Sequence, residues 1–118
     1  MYLNQLTIIG FTGQDADFHF SSSGTPVTTL SVATKESWKD AGGDWQGHTE
    51  WHRIVAFGKL AEYAKTLTKG THVMVQGSLR SREYEKDGVS RRVSEVRAET
   101  VAKLDRVQRR EAQEVPES

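Results

Sequence analysis

The stretch HTEWHRIVAFGKLAEYAKTLTKG, residues 48–70, changes its hydrophobic period halfway along. In residues 48–57, side chains of different character alternate, which predicts a β-strand with two distinct faces. The apolar residues of the second half follow the i, i+3, i+4, i+7 spacing of a helix: Leu60, Tyr63, Ala64 and Leu67. Gly70 stands where a helix C-cap is expected. The stretch therefore predicts a strand followed directly by a helix.

Extended segments bounded by turn residues precede and follow this stretch. They read LNQLTIIG, DFHF, VTTLSVAT, THVMVQGSLRSREYE and VSRRVSEVRAETV. The valines of the last segment fit neither the strand period nor the helix period. Its valine content favours a bulged strand and leaves a helix open. The loops DAGGD and KDG are expected to close long hairpins.

Several strands, then one helix, then two further strands follow one another in the order of the oligonucleotide-binding (OB) barrel. We therefore predict an all-β fold, a five-stranded OB-fold Greek-key barrel with one α-helix between strands 3 and 4. The domain is expected to span residues 1–104, and the polar residues 105–118 to form a short disordered tail. Such barrels host many functions, so function has to be argued from particular side chains.

The composition narrows the classes of function. With 118 residues and 36% apolar content, the chain is sized for one domain. It has no cysteine, which leaves His, Asp and Glu as its strong metal ligands. Without a long apolar run or a secretory signal pattern, we expect a cytoplasmic protein with no membrane contact. The 16 basic and 16 acidic residues balance, but the first 34 residues contain no Lys or Arg, so positive charge is concentrated downstream.

One face of the strand at residues 48–57 carries His48, Glu50 and His52, which could surround a divalent ion. The spacing argues against this, because alternate strand positions are roughly 7 Å apart and the helical His-Glu-x-x-His signature is absent. Zinc deaminases, which share a His-x-Glu fragment, also need two cysteines. We therefore expect no metal and no cofactor, and His52 hydrogen-bonded at a barrel or subunit surface beside a buried Ile54.

The other face of this strand carries Trp51, Arg53 and Phe57, so that flat rings alternate with positive charge. Bases stack on such rings with little sequence preference, at about 1–3 kcal/mol per base. In one strand alone these rings could equally fill the core. Two further segments repeat the combination: Trp38 with Lys35 and Lys39, and Tyr84 with Arg80, Arg82 and Lys86. Three such segments favour a binding surface over a merely solvated basic face.

Four blocks of this sequence resemble the bacterial single-stranded DNA-binding proteins. In that family's order they are the IIG-TGQD-D opening, VTTLSVATKESW, TEWHRIVAFGKLAEYA and KG-THVMVQGSLRSREY. The resemblance covers roughly residues 1–104. It implies a non-catalytic OB-fold protein that assembles as a homotetramer. It also implies wrapping of single-stranded DNA, without strong sequence preference, in replication, repair and recombination.

The resemblance also implies roles for individual positions. The base-stacking aromatics of the family match Trp38, Trp51, Phe57 and Tyr84. Its basic positions near phosphates match Lys59 and Lys69, and its basic strand matches Arg80 and Arg82. The pattern of rings and charges described above adds Lys35, Lys39 and Arg53 to the expected phosphate contacts. His52 matches a position of subunit contact.

The sequence departs from the family pattern in several places. Tyr84 stands where many members have tryptophan, and two acidic residues, Glu83 and Glu85, lie beside it. Phe11 occupies a turn usually given to a polar residue, and Trp45 has no clear counterpart. The tail QRREAQEVPES lacks the long linker and the acidic, apolar-ended tip through which members recruit enzymes. Recruitment of replication and repair enzymes by that route is therefore not expected.

Other functions remain open on the sequence alone. An accessory OB-fold protein of a restart primosome or a mobile element would act mainly through protein contacts, and the missing tip favours it. A structural subunit that binds only protein is a second alternative. An OB-type hydrolase using His48, Glu50, His52 and Asp44 is formally possible, but no set of converging carboxylates supports a two-metal site.

Overall fold

The computed structural model describes residues 1–104, and the predicted disordered tail at 105–118 lies outside the described residues. Residues 1–104 form six strands and one helix. These are β1 (Leu6–Thr12), β2 (Asp17–Phe20), β3 (Pro26–Lys39), β4 (Trp45–Phe57), α1 (Lys59–Ala64), β5 (His72–Lys86) and β6 (Val89–Lys103). Within this part of the chain, no helix is long and apolar enough to cross a bilayer.

Five of the strands close a barrel in the order β1-β5-β6-β4-β3, and β3 pairs back onto β1. All neighbouring strands are antiparallel except β4 and β6, which run parallel. The short β2 pairs with β3 just beyond the residues of β3 that pair with β1, so β1 and β2 act as two halves of one bent barrel strand. The helix lies between the third and fourth barrel strands, which confirms the predicted OB fold.

The barrel wall consists of two extensive antiparallel units joined by two short seams. In the first unit, residues 27–39 of β3 pair continuously with β4; in the second, β5 pairs with both β1 and β6. By contrast, two residue pairs join β1 to β3 and two join β4 to β6. The pairs across these seams are Phe11–Ala33, Thr12–Val32, Ile54–Val96 and Val55–Arg97.

Alternate residues of the barrel strands fill the core, because successive side chains of a strand point to opposite faces. The buried strand residues include Ile8, Leu30, Val32, Ile54, Ala56, Val73, Val75, Val96 and Val101. The segment after β4 covers one end of the barrel with Ala61, Ala64 and Leu67. There the hydroxyl of Thr28, which is fully buried, donates a hydrogen bond of 2.7 Å to the carbonyl oxygen of Ala61 and fixes α1 to β3.

The helix is shorter than the sequence predicted. It ends at Ala64 with Lys65 as its C-cap, so Gly70 is not the cap. Beyond it, the N–H of Leu67 donates to the carbonyl of Ala64, and the hydroxyl of Thr66 donates to the carbonyl of Tyr63. Threonine side chains compete in this way with the helical hydrogen bonds, and the chain tightens and leaves the helix. Leu67 still reaches the core, whereas Tyr63 is exposed.

The predicted bulge is present in β6. The register between β5 and β6 shifts at Gln76 and Gly77, which face Thr100 and Ala98, so that Glu99 is the extra residue. Because the extra residue is in β6, β5 keeps its alternation. Alternation along THVMVQGSLRSREYE places Leu79 on the same face as Val73 and Val75 and predicts that it is buried, but this prediction is wrong. This side chain is half exposed, because the β5–β6 hairpin leaves the barrel at that point.

Both long hairpins end in defined turns. Asp87 and Gly88 both have positive φ, as a two-residue hairpin turn of the favoured hand requires. In the β3–β4 loop, the carboxylate of Asp40 accepts hydrogen bonds from the N–H groups of Gly42 and Asp44 and from the side-chain amide of Gln46. The hydrogen bond from Asp44, with those from Gln46 and Gly42, holds the pKa of Asp40 below its usual 3.8.

Candidate nucleic-acid interface

The second face of β4 lies on the outside of the barrel. Trp51 is 56% exposed and Phe57 38%, and Arg53 between them is also exposed. Ile54 and Ala56, on the first face, are buried. The two faces assigned from the sequence are thus present, and the aromatic and basic one is the external one.

The indole of Trp51 has a defined resting place. A Cβ atom added to Gly13 would lie 2.4 Å from Cζ3 of this indole, so the ring covers a position where the backbone carries no side chain. Gly13 follows β1, and its N–H donates to the carbonyl oxygen of Ser31 in β3. Starting from β4, the indole therefore reaches across β3 to the chain just beyond β1. The importance of Gly13 could not be found from the sequence, because it depends on pairing between distant segments.

Two of the predicted cationic residues share one carboxylate. The Nε–H of Arg53 donates to one oxygen of Glu95 and the Nε–H of Arg82 donates to the other, each at 3.1 Å. The Glu95 side chain is 13% exposed, whereas both arginine side chains are about half exposed. Each guanidinium group has four further N–H bonds that can face a phosphate. Glu95 therefore positions two cations and also offsets part of their charge.

A further arginine, not predicted from the sequence, joins this face. The guanidinium carbon of Arg97 lies 4.5 Å from the centre of the Phe57 ring, and that of Arg82 lies 5.9 Å from the Tyr84 ring. Arg97 was missed because the valine spacing of β6 left its faces undetermined. We use the term outer track for this continuous set of side chains on β4, β5 and β6: Trp51, Arg53, Phe57, Arg80, Arg82, Tyr84, Glu95 and Arg97.

The β3–β4 hairpin divides its aromatics between two sides. By strand alternation, Lys35 lies on the side of Trp51, whereas Trp38 points to the opposite side. Trp45, which had no assigned role, faces Lys39 across the hairpin, with the lysine Nζ 5.8 Å from the ring centre. All three rings are exposed, and Trp45 rather than Trp38 shares the side of the outer track.

The two remaining predicted lysines lie off the strand faces. Lys59 is the first residue of α1, two positions after Phe57. Lys69 lies between α1 and β5, where its backbone N–H donates to the carboxylate of Asp15. The acidic Glu83, which is next to Tyr84 in sequence, lies on the other side of the hairpin by alternation, where it pairs with Arg92.

The face with the histidines is occupied by local hydrogen bonds. Nε2 of His52 lies 2.9 Å from the hydroxyl of Thr34, and Nε2 of His48 lies 3.1 Å from a carboxylate oxygen of Glu50. Among residues 1–104, no group of three or more His, Asp or Glu side chains is placed to hold a metal ion. His52 is half-buried at the end of the barrel, next to Leu79.

The barrel and its outer track are typical of OB-fold proteins that bind oligonucleotides. Residues 3–104 match the model of the Single-strand binding protein family, and the chain belongs to that family. A similar protein is Single-stranded DNA-binding protein 1 of Xylella fastidiosa (strain 9a5c), which is 42% identical over 109 residues, 90% of this chain and 80% of the relative.

Two solved structures are similar to the whole barrel. The Plasmodium falciparum SSB complex with ssDNA superposes with a TM-score of 0.81 at 32% identity, over 89% of this chain and 97% of that one. A deletion mutant of the single-stranded DNA binding protein from Thermus aquaticus gives a TM-score of 0.77 at 31% identity, over 87% of this chain and 51% of that one. Both are consistent with the family assignment.

Proposed function

We propose that this protein binds single-stranded DNA without strong sequence preference and without catalysis. It would protect and organise the strand during replication, repair and recombination. The observation that carries the proposal is the outer track, where exposed rings alternate with guanidinium groups along one continuous face. Rings can stack on any base, and cations contact the phosphates that every sequence shares.

Each part of the interface has its own role in this proposal. Bases stack on Trp51, Phe57 and Tyr84, and on Trp38 at the β3–β4 hairpin. Phosphates are contacted by Arg53, Arg80, Arg82 and Arg97, by Lys35 and Lys39 on the hairpin, and by Lys59 and Lys69 around the helix. The half exposure of Arg53 and Arg82 supports this, since their charges are accessible while Glu95 fixes their positions.

Titration with oligo-dT tests the proposal. We expect stacking to quench tryptophan fluorescence, and the affinity to fall steeply as salt rises because cations release the counterions of the phosphates. A duplex of the same length serves as control and should bind much more weakly. Absence of quenching at low salt would refute the proposal. Cleavage of a labelled oligonucleotide in magnesium, manganese or zinc, lost in His52→Ala, would instead support the hydrolase.

The proposed assembly is a homotetramer with His52 near a subunit contact. Its support is an exposed apolar group at this end of the barrel. Leu79 lies beside His52, and the side chain of Asn4, which follows the exposed Leu3, forms two hydrogen bonds with the backbone of Leu79. Light scattering tests the proposal, and a stable dimer would favour the accessory-protein alternative. As a protein that binds single-stranded DNA, it would act in the cytoplasm, in association with the nucleoid.

A further inference from the structure

A row of side chains runs across the outside of the barrel, at right angles to the strands. Trp51 in β4 lies opposite Ala33 in β3, Ala33 lies opposite Phe11 in β1, and Phe11 lies opposite His72 in β5. Residues directly opposite each other in antiparallel strands share a face of the sheet. The row therefore places two aromatic side chains on either side of the small methyl group of Ala33.

Trp51 extends across β3 towards the chain just beyond β1. Its distal ring atoms lie over Gly13, which is two residues beyond Phe11 along the chain. Two strand residues span roughly 7 Å, so Phe11 lies about that far along the chain from the position that the indole covers. A strand of DNA that leaves Trp51 in this direction thus meets Phe11 next.

Phe11 is held as a flat, accessible surface. Its ring stacks on the imidazole of His72, with 4.4 Å between ring centroids and 13° between planes. The phenyl ring is nevertheless 52% exposed, although it is large and apolar. One face of the ring is thus supported by His72 while much of the side chain remains accessible, which is the arrangement a stacking platform needs.

Positive charge lies next to this ring. Phe11, His72 and Lys35 line a common depression of about 320 Å³, together with Ala33 and the exposed Ile9. Lys35 lies two residues from Ala33 in β3, and alternation places its side chain on the same outer face. A base on the ring would therefore have an ammonium group near its own phosphate or the next one.

We propose that Phe11, supported by His72 and flanked by Lys35, forms an additional base-binding subsite that continues the DNA path beyond Trp51. The occupant is a base of the same single strand, because the subsite adjoins the outer track and carries the matching charge. This inference rests on the proposed function, and it extends the interface to strands β1, β3 and β5.

Binding of labelled oligo-dT by the full chain tests the subsite. Phe11→Leu removes the ring but keeps an apolar side chain of similar size, and Phe11→Tyr retains a ring. The matched control is Phe20→Leu, which removes an exposed ring from β2, outside the row. For oligonucleotides that are long enough to pass Trp51, we expect Phe11→Leu to weaken binding about tenfold, and Phe11→Tyr and Phe20→Leu to change it less than about twofold. Short oligonucleotides should bind wild type and Phe11→Leu equally.

Ultraviolet crosslinking provides a second readout. We expect irradiation of the wild-type complex with oligo-dT to attach thymidine to the peptide that contains Phe11. Equal affinities of wild type and Phe11→Leu at every length, without such an adduct, would overturn the inference. So would a lower molecular mass of Phe11→Leu by light scattering, which would assign the ring to contact with a second copy. If wild type shows no quenching with oligo-dT, the proposed function itself fails; if it does and Trp51→Ala weakens binding, only the subsite is in question.

Discussion

The barrel and the two hairpins that project from it differ in how their side chains are buried. In the barrel, buried and partly exposed residues alternate along a strand, as in β3 from Thr28 to Ala33. In the projecting part of β5, residues 80–86 are all exposed, and most of the β3–β4 hairpin beyond Lys35 is exposed as well. Among residues 1–104, no second layer covers either side of these hairpins, so their side chains face solvent or a ligand.

Aromatic side chains are therefore positioned differently in the barrel and in the projecting hairpins, which we call ribbons. Trp51 belongs to the barrel wall, and its indole rests on Gly13 across a neighbouring strand. Trp38 and Trp45 belong to a ribbon, where Trp45 contacts Lys39. Rings that are fixed before binding lose less conformational freedom when DNA stacks on them. We therefore expect the rings of the barrel to contribute most of the stacking energy. The ribbons would extend the contact with DNA beyond the barrel and add positive charge.

A core deletion gives the sharpest contrast between the two regions. Ile54 is fully buried beside the β4–β6 seam, so Ile54→Ala should lower the free energy of unfolding by about 2–5 kcal/mol. Val89→Ala removes an apolar group from the exposed ribbon and should change it by less than about 0.5 kcal/mol. Urea denaturation at one protein concentration measures both, and similar losses would mean that the ribbons are covered in solution.

Removing one indole from each region compares their stacking. Trp51→Ala should weaken oligo-dT binding about 10- to 100-fold, because it removes a ring that is already positioned. Trp38→Ala should cost less, since that ring lies on the other side of the ribbon from the outer track. Anisotropy of a labelled oligonucleotide measures both affinities. A larger loss from Trp38→Ala would reverse the roles given to barrel and ribbon.

The carboxylate of Glu95 joins the two regions, because it binds Arg53 in the barrel wall and Arg82 in the ribbon. Glu95→Gln removes a negative charge from the track, and we expect about fivefold tighter binding of oligo-dT at low salt. Glu83→Gln makes the same change on the opposite side of the ribbon and should have a smaller effect. Weaker binding by Glu95→Gln would mean that positioning the arginines matters more than their net charge.

The turn of the β3–β4 ribbon should show the smallest effect. Because hydrogen bonds lower the pKa of Asp40 in the folded protein, its stabilising contribution is present above its usual pKa of 3.8 and is lost as the pH falls through the folded value. Asp40→Ala should speed amide exchange of Gly42 and Asp44 while leaving the barrel's exchange unchanged. Nuclear magnetic resonance follows both, and a normal carboxyl pKa would refute this account of the turn.

The sequence was sufficient to predict the barrel because its signals are local. Alternation, turn residues and the single helical segment identified the strands, and the face of Trp51 and Arg53 followed from alternation alone. The bulge of β6 was indicated by its irregular valine spacing. These features depend on neighbouring residues along one strand, which a sequence displays directly.

The features that the sequence did not predict depend on which strands pair with each other. Leu79 has the correct parity for the core, but the strand leaves the barrel at that point, and no other part of the described chain buries this side chain. The use of Glu95 by two arginines, the place of Gly13 under Trp51 and the proximity of Arg97 to Phe57 all involve residues far apart in sequence. Alternation assigns a residue to one of two faces, and it does not say what lies opposite.

Because the two seams are short, we expect the barrel to open locally along them, and hydrogen exchange can measure this opening. Each is held by two residue pairs, so the β3–β4 unit can separate locally from the β1–β5–β6 unit at a smaller free energy than either unit needs to come apart. Trp51 bridges one seam through Gly13, and the Arg53–Glu95 ion pair bridges the other. A bound strand lying over both bridges would fasten the units together, and hydrogen exchange at Val32 and Val55 would slow when DNA binds.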